Sequence, residues 1–354
     1  MRNLLKNDWT LFVIALVVSV LTAILTFTNA NAVLTFLVSA VALAILAVVV
    51  GEATEQLGNY MGPGATGIVQ SAIGNLPELF VSFFALQAGL VTVVQSALVG
   101  SILANSLLVL GLAFFFGGRK HGTQKFQSET PRVIVILMVL AVSALVVPTL
   151  AHTMHTPAAA HEETLSIASA IVLLVVFFAS IPFSLQSSTP EIVHPQTHQE
   201  KPWSILRIIA VLAIAGISAA LVSDWFVKAL EPAIAALHIS QAFAGLVVVA
   251  IAGNAVENVV GIQLALKNKP DFAISVILNS SLQVALALTP ILILLSFFFS
   301  PVALTLVLPP LLVVSLALTA ILSALIVYDG ESNWLEGLAL IGLYIMIAVS
   351  FWWG

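Results

Sequence analysis

Runs of about 18 or more apolar residues, closed off by charges, Pro/Gly or polar clusters, recur along nearly the whole chain, and about 20 such residues cross a 30 Å hydrocarbon core. Eleven are read: Trp9 to Thr28, Val33 to Gly51, Thr66 to Leu86, Val91 to Phe116, Val133 to Leu150, Leu165 to Leu185, Ser204 to Leu230, Gln241 to Leu266, Phe272 to Phe299, Val302 to Tyr328 and Trp334 to Trp353. In lipid each must close its own backbone hydrogen bonds, so each is expected as a helix. Composition agrees. Of 354 residues 60% are hydrophobic and 8% charged, against about 45 to 50% and about 25% in soluble domains. A soluble globular fold is excluded, and an all-α polytopic membrane protein is expected. The loop Arg119 to Arg132 and the linker Gln186 to Lys201 are too short to bury a core. With no Gly-rich phosphate loop either, pumping driven by nucleotide hydrolysis on this chain is not expected. A formal net charge of -5 offers no basic stripe for nucleic acid. The absence of cysteine removes thiolate metal sites and cysteine nucleophiles, and no cofactor is expected.

Lys and Arg are retained on the cytoplasmic side. With the N-terminus inside and the C-terminus outside, Arg2, Lys6, Arg119, Lys120, Lys125, Arg132, Lys201, Arg207, Lys267 and Lys269 all fall inside, and of the 11 basic residues only Lys228 does not. Removing one span would scatter the later charges. Arg2, Lys6 and the Ala30-Asn31-Ala32 triplet resemble a secretion signal, but the charge bookkeeping favours a retained helix in a multi-pass protein of the cell membrane.

Compared with itself, the sequence repeats Gly74-Asn75-Leu76-Pro77-Glu78 as Gly253-Asn254-Ala255-Val256-Glu257, an offset of 179 that also lays Glu52 on Glu231 and Ser101 on Ser280. The first copy lies on the third run and the second on the eighth, which cross in opposite directions. The expected organisation is a peripheral N-terminal helix (1–32), a first five-helix repeat (33–185), a cytoplasmic linker (186–203) and a second, inverted repeat (204–354). Secondary transporters use this design, with broken helices at a midplane site.

Glu78 and Glu257 lie near the middle of their runs, where a charge costs at least about 2.5 to 3.5 kcal/mol, so each is a functional candidate. Asn75 and Asn254, three residues earlier, share the helix face of their glutamates. Gly74, Gly253 and Pro77 weaken the helical ladder and can free carbonyls. Hard cations take such oxygens, Ca2+ six to eight of them, and Ser101, Asn105, Ser280 and Gln283 add more. Two ionised carboxylates in a low-dielectric site are relieved by protons or by one divalent cation. The outline is a proton-coupled cation antiporter. Glu52 and Glu55 could funnel cations or simply be solvated. Asp224 and Lys228 have helix ion-pair spacing, which favours a structural pair over an entry site, and the histidines around His152 to His161, with His194 and His198, could bind a transition metal or sense pH but read as solvated loop residues. A channel would use similar acids without coupling, and a membrane hydrolase lacks any evident nucleophile and base.

At these residues the chain resembles the Ca2+/H+ antiporters, the cation/proton exchanger branch of the calcium/cation antiporter superfamily. The resemblance runs through Ala53-Thr54-Glu55, both G-N-x-x-E copies, Gln95-Ser96-Ala97, Gly100-Ser101 to Asn105, Leu107 to Gly111, Leu230-Glu231-Pro232-Ala233, and Asp329-Gly330 with Ser332 to Gly337. It implies Ca2+ export against inward proton flow, and paired cation- and proton-binding glutamates at Glu78 and Glu257. Asn75 and Asn254 match the motif amides, where sodium/calcium exchangers of the superfamily carry Ser or Thr. Gln95, Asn105 and Gln283 match polar positions of neighbouring helices, and Gln95 joins Glu52 and Glu55 as a possible funnel. Pro77, Asn258 and Asn279 depart from the pattern, so sodium, potassium or manganese, and with sodium a Na+/Ca2+ exchange, stay open beside calcium.

Overall fold

The computed structural model describes residues 8–28, 30–58, 60–61, 73–127, 129–187 and 203–353. Arg2, Lys6, the first part of the third run, and His194, His198 and Lys201 of the linker lie outside the described residues.

The apolar runs fold as helices: α1 (Asp8–Phe27), α2 (Ala32–Gly58), α3 (Leu76–Gln87), α4 (Val91–His121), α5 (Glu129–Thr153), α6 (Glu162–Ser187), α7 (Ile205–Leu237), α8 (Gln241–Gly253), α9 (Ala255–Leu266), α10 (Pro270–Phe299), α11 (Pro310–Tyr328) and α12 (Trp334–Ser350). Among the described residues eight helices are long and apolar enough to cross a membrane, nine when the bent pair α8 and α9 counts as one. The shorter apolar helices α3 and α12 fall on the third and eleventh expected runs. Leu16, Val17, Leu140, Val175, Leu206 and Leu325 are among many large apolar side chains left exposed, a surface that lipid covers and water would not. The protein is a multi-pass membrane protein.

Two helices outrun the sequence expectation furthest at one end. α2 continues past Gly51 to Gly58, so Glu52 and Glu55 sit inside its last turns, and α7 continues through Pro232 to Leu237. One run is shorter than expected. Residues 300–309 precede α11 without helix, because Pro309 adopts φ -52 and ψ 134, the extended conformation a following proline imposes, and Pro310 then opens α11.

The chain divides into two compact units. The first takes its described residues from Met1–Phe84, Phe178–His238 and Ala252–Val256. There α2 packs along α7, the helix the 179-residue offset lays on it, with Phe36 stacked on Phe226 at 5.0 Å. Trp203 fixes the start of α7. It packs with Ala53 and Ile208, its carbonyl accepts from the Tyr60 hydroxyl at 2.6 Å, and the Arg207 guanidinium lies 4.0 Å from its ring centroid. Asp224 and Lys228 form the expected ion pair at 2.6 Å.

The second unit takes Ala85–Phe177, Ile239–Ile251 and Glu257–Gly354. α12 packs on α4, α11 on α5, and α4 on α8. Glycines set the closest approaches, since a Cβ on Gly100 would overlap the Leu246 backbone and one on Gly245 that of Val93. Three connections meet at one end of this unit. Gln124 and Lys125 pair antiparallel with Ser332 and Glu331, the Lys120 ammonium donates to the Leu266 carbonyl at 2.8 Å, and the Gln127 amide donates to Asp271. The Lys125–Glu331 pair at 2.9 Å raises the lysine above its usual pKa, first through the hydrogen bond. The distribution of Lys and Arg assigns all three connections to the same side. At the other end Ser240 bonds to Phe351 and Ser300 to Leu86, again connections of one assigned side.

The Ser332 to Gly337 stretch is a helix start. Asn333 accepts from the amides of Leu335 and Glu336 at 3.0 and 3.1 Å, and the Glu336 carboxylate accepts from the Asn333 amide at 3.2 Å, a capping box. Replacing Asn333 by Ala is expected to cost about 1 kcal/mol, read as a lowered thermal unfolding midpoint in detergent, and an unchanged midpoint would show that the cap contributes nothing.

Candidate functional site

Both copies of the repeated motif break a helix, where the sequence suggests only a weakened ladder. In the first copy Asn75 is a turn residue between Gly74 and α3, and its carbonyl accepts from the Leu79 amide at 2.9 Å. Pro77 falls in the first turn of α3, where its missing N–H costs no ladder bond. In the second copy Asn254 is the turn, and α8 and α9 meet there at 64°. Glu78 and Glu257 therefore occupy the first turns of α3 and α9, where the helix dipole favours a negative charge. A helix that ends in this way leaves its last carbonyls outside the intrahelical ladder, and transporters use such helix ends as cation ligands.

In the first unit Glu78 is 1% exposed and Asn254 fully buried, while Gly74, Asn75 and Gly253 are half-buried. The two motif copies touch here. A Cβ built on Gly253 would lie 3.3 Å from Cβ, 3.4 Å from Cγ and 3.6 Å from Cδ of Glu78, so the glycine leaves the room that the carboxylate's stem fills. Gly51 of α2 meets the second copy in the same way, since a Cβ there would lie 2.9 Å from Val256 Cγ1. Beyond it Glu52 is half-buried and Glu55 exposed. A carboxylate as buried as Glu78 must be compensated by a cation, a proton or strong hydrogen bonds.

In the second unit Glu257 is half-buried, and Ser101, Asn105 and Ser280 are buried. The Asn105 amide donates to the Ser280 hydroxyl at 3.0 Å, and the Ser106 and Ser281 hydroxyls form a second rung at 3.0 Å, so α4 and α10 are joined through polar groups of both repeats. Each of these helices then opens into a π turn, Ala104–Val109 in α4 and Val284–Leu288 in α10. Shifting the first by the offset (104 + 179 = 283) lands it on the second. π turns widen the ladder and recur at functional sites. No residue type announces them, and sequence reasoning missed them. A third, Ala244–Val249, lies in α8. Gln283 is half-buried at the start of its π turn, and Asn279 is exposed. Asn258 reaches the Ile251 carbonyl only at 3.5 Å.

Gln95 is differently employed. Its amide nitrogen donates to the Thr305 and Val307 carbonyls at 2.9 and 3.1 Å, within the same unit. His152 pairs with Glu162, and His155 Nδ1 lies 3.0 Å from the Thr153 carbonyl. Among the described residues no three His, Asp or Glu side chains cluster to hold a metal. The candidate donors are thus single carboxylates with amides, hydroxyls and carbonyls, an oxygen set suited to hard cations.

The family described as "Sodium/calcium exchanger protein" matches residues 31–186 and 207–353. A protein of Aphanothece halophytica named Ca(2+)/H(+) antiporter is 35% identical over 336 residues, covering 89% of each chain. The Ca(2+)/H(+) antiporter ChaA of Bacillus subtilis is 34% identical over 322 residues, 89% of this chain and 91% of its own. The solved structure of native YfkE superposes with a TM-score of 0.83 at 31% identity, covering 97% of this chain and 99% of that one.

Proposed function

The chain belongs to the sodium/calcium exchanger protein family, and from that premise we propose that it is a Ca2+/H+ antiporter, a secondary transporter and not an enzyme. In this reading the protein spans the cell membrane with its N-terminus inside, Ca2+ leaves the cytoplasm, and protons enter in exchange. Glu78 and Glu257 carry the charge in both directions. Asn75, Asn254, Ser101, Asn105, Ser280 and Gln283 add neutral oxygens, and the helix ends at Gly74 and Gly253 supply carbonyls.

The observation that supports the reading most is the paired break. Two copies of G-N-x-x-E each interrupt a helix, each set a glutamate in the first turn that follows, and one of those glutamates is 1% exposed. Transporters with inverted repeats build ion sites from such discontinuous helices. Ca2+ requires ionised carboxylates. Protons neutralise the same oxygens, so the two cargoes exclude each other. The empty, doubly charged state is poorly solvated and is the one least able to change access. Exchange is the consequence.

Linkage gives the test. Below the pH at which the glutamates release their protons, Ca2+ must displace them, so apparent Ca2+ affinity rises with pH by up to about tenfold per unit for each proton displaced. Calorimetric titration between about pH 6 and pH 8 is expected to show this slope and proton release into the buffer. A flat profile with no proton release would overturn proton competition, and uptake driven by a sodium gradient alone would transfer the counter-ion to sodium.

A further inference from the structure

Residues 300–309 connect α10 to α11 without helix, and inward and half-buried residues alternate along their second half: Leu304, Leu306 and Leu308 are 1%, 3% and 7% exposed, with Thr305 and Val307 between them half-buried. A buried non-helical backbone at the end of a membrane bundle must find partners for its polar groups elsewhere. Here side chains of four helices supply them. Gln95 of α4 donates to the Thr305 and Val307 carbonyls. Thr149 of α5 donates to the Leu306 carbonyl at 2.7 Å and accepts from the Leu308 amide at 2.9 Å. Ser166 of α6 accepts from the Leu306 amide and Ser296 of α10 from the Leu304 amide, both at 2.9 Å. Every clamp is neutral.

Beneath the segment lies a cavity. It is small, about 20 Å³, and Gln95, Ile102 and Thr289 line it together with Leu304, Leu306 and Leu308 of the segment. Ile102 adjoins Ser101, and Thr289 follows the π turn of α10. The cavity is therefore lined from α4 and α10, the two helices that also carry Ser101, Asn105 and Ser280. Neutral hydrogen bonds are each worth about 1 kcal/mol net because water replaces them readily, so such a strap can be lifted, whereas a helix end of similar burial could not be without breaking its ladder.

We propose that the 300–309 strap is a releasable seal over the second unit, latched by Gln95, Thr149 and Ser166, and that it loosens when this end of the unit takes up or gives off its cargo. The latch does not depend on what is exchanged; its coupling to cargo rests on the Ca2+/H+ reading.

The chain's lack of cysteine gives a clean test in nanodiscs, where both faces are reachable. Leu306→Cys is expected to react with a membrane-impermeant maleimide at least tenfold slower than Val302→Cys, which is exposed. Adding Gln95→Ala or, separately, Ser166→Ala is expected to raise the Leu306→Cys rate about tenfold with the thermal midpoint retained. Changing from saturating Ca2+ at alkaline pH to Ca2+-free buffer at acid pH is expected to change it at least threefold. Equal rates at 302 and 306, or a Leu306→Cys rate that neither latch variant moves, would overturn the seal. A rate indifferent to Ca2+ and pH in protein that still exchanges would overturn its release with cargo. If exchange itself is absent while the latch results hold, the functional reading falls and the seal stands.

Discussion

Glu78→Gln and Glu257→Gln, each reconstituted into vesicles carrying a proton gradient, are expected to lose Ca2+ uptake by at least about a hundredfold, a difference of about 2.7 kcal/mol at about 1.36 kcal/mol per factor of ten. Glutamine keeps the shape and an oxygen of glutamate and loses both its charge and its proton. On the proposed exchange, each substitution removes one of the two charges that bind the cation and one of the two groups that carry protons back. The stability readout separates this from a structural role. Glu78 is 1% exposed, so its ionised form is costly to bury, and the neutral variant is expected to unfold at a temperature equal to or above that of the parent. A glutamate kept for its hydrogen bonds would show the reverse, a lowered midpoint with exchange per folded molecule preserved. Full exchange in both variants would remove Glu78 and Glu257 from the site.

How far the sequence discloses such a site depends on which physical signal each element carries. The helices are legible because lipid leaves the backbone no other option, so run length alone finds α4, α5, α10 and their neighbours. The grouping of connections at each end of the second unit is legible from Lys and Arg. The motif pair is legible because duplication repeats Gly, Asn and Glu in one order. The breaks at Asn75 and Asn254 are only half legible, since glycine and proline weaken a ladder without deciding whether it parts. The π turns are not legible at all. Ala104–Val109 and Val284–Leu288 are built of residues that suit an α-helix equally well. The strap reads wrongly as the start of a span because Val302 to Leu308 is apolar. Leu304, Leu306 and Leu308 face a protein cavity, and Pro309-Pro310 marks the true helix start. Gln95 then takes partners that its type could not specify, since a glutamine amide bonds a cation's neighbours, a carbonyl or water equally well.

Gly253 and Gly74 hold the same place in the two motif copies, yet their replacement is expected to have unequal effects. A Cβ at Gly253 would lie 3.3 Å from the Glu78 Cβ, which is tight, and in ordinary contact with Cγ and Cδ at 3.4 and 3.6 Å, whereas at Gly74 no described atom lies within 4 Å. Alanine also favours helix over glycine by about 1 kcal/mol, but that tendency to close the break applies to both copies alike, so the difference between them isolates the contact. Glu78 must then give way by a few tenths of an ångström, and since a displacement of about 1 Å in a binding group can cost about a hundredfold in function, a smaller loss follows. Gly253→Ala is therefore expected to lower proton-driven Ca2+ uptake about tenfold and Gly253→Val to abolish it, with Gly74→Ala within about twofold of the parent. The affinity readout should follow, because a shifted Glu78 weakens Ca2+ binding itself and with it the pH slope of that binding. Equal losses at the two glycines would mean that flexibility at the breaks, common to both copies, governs exchange, and that the contact between Gly253 and Glu78 does not.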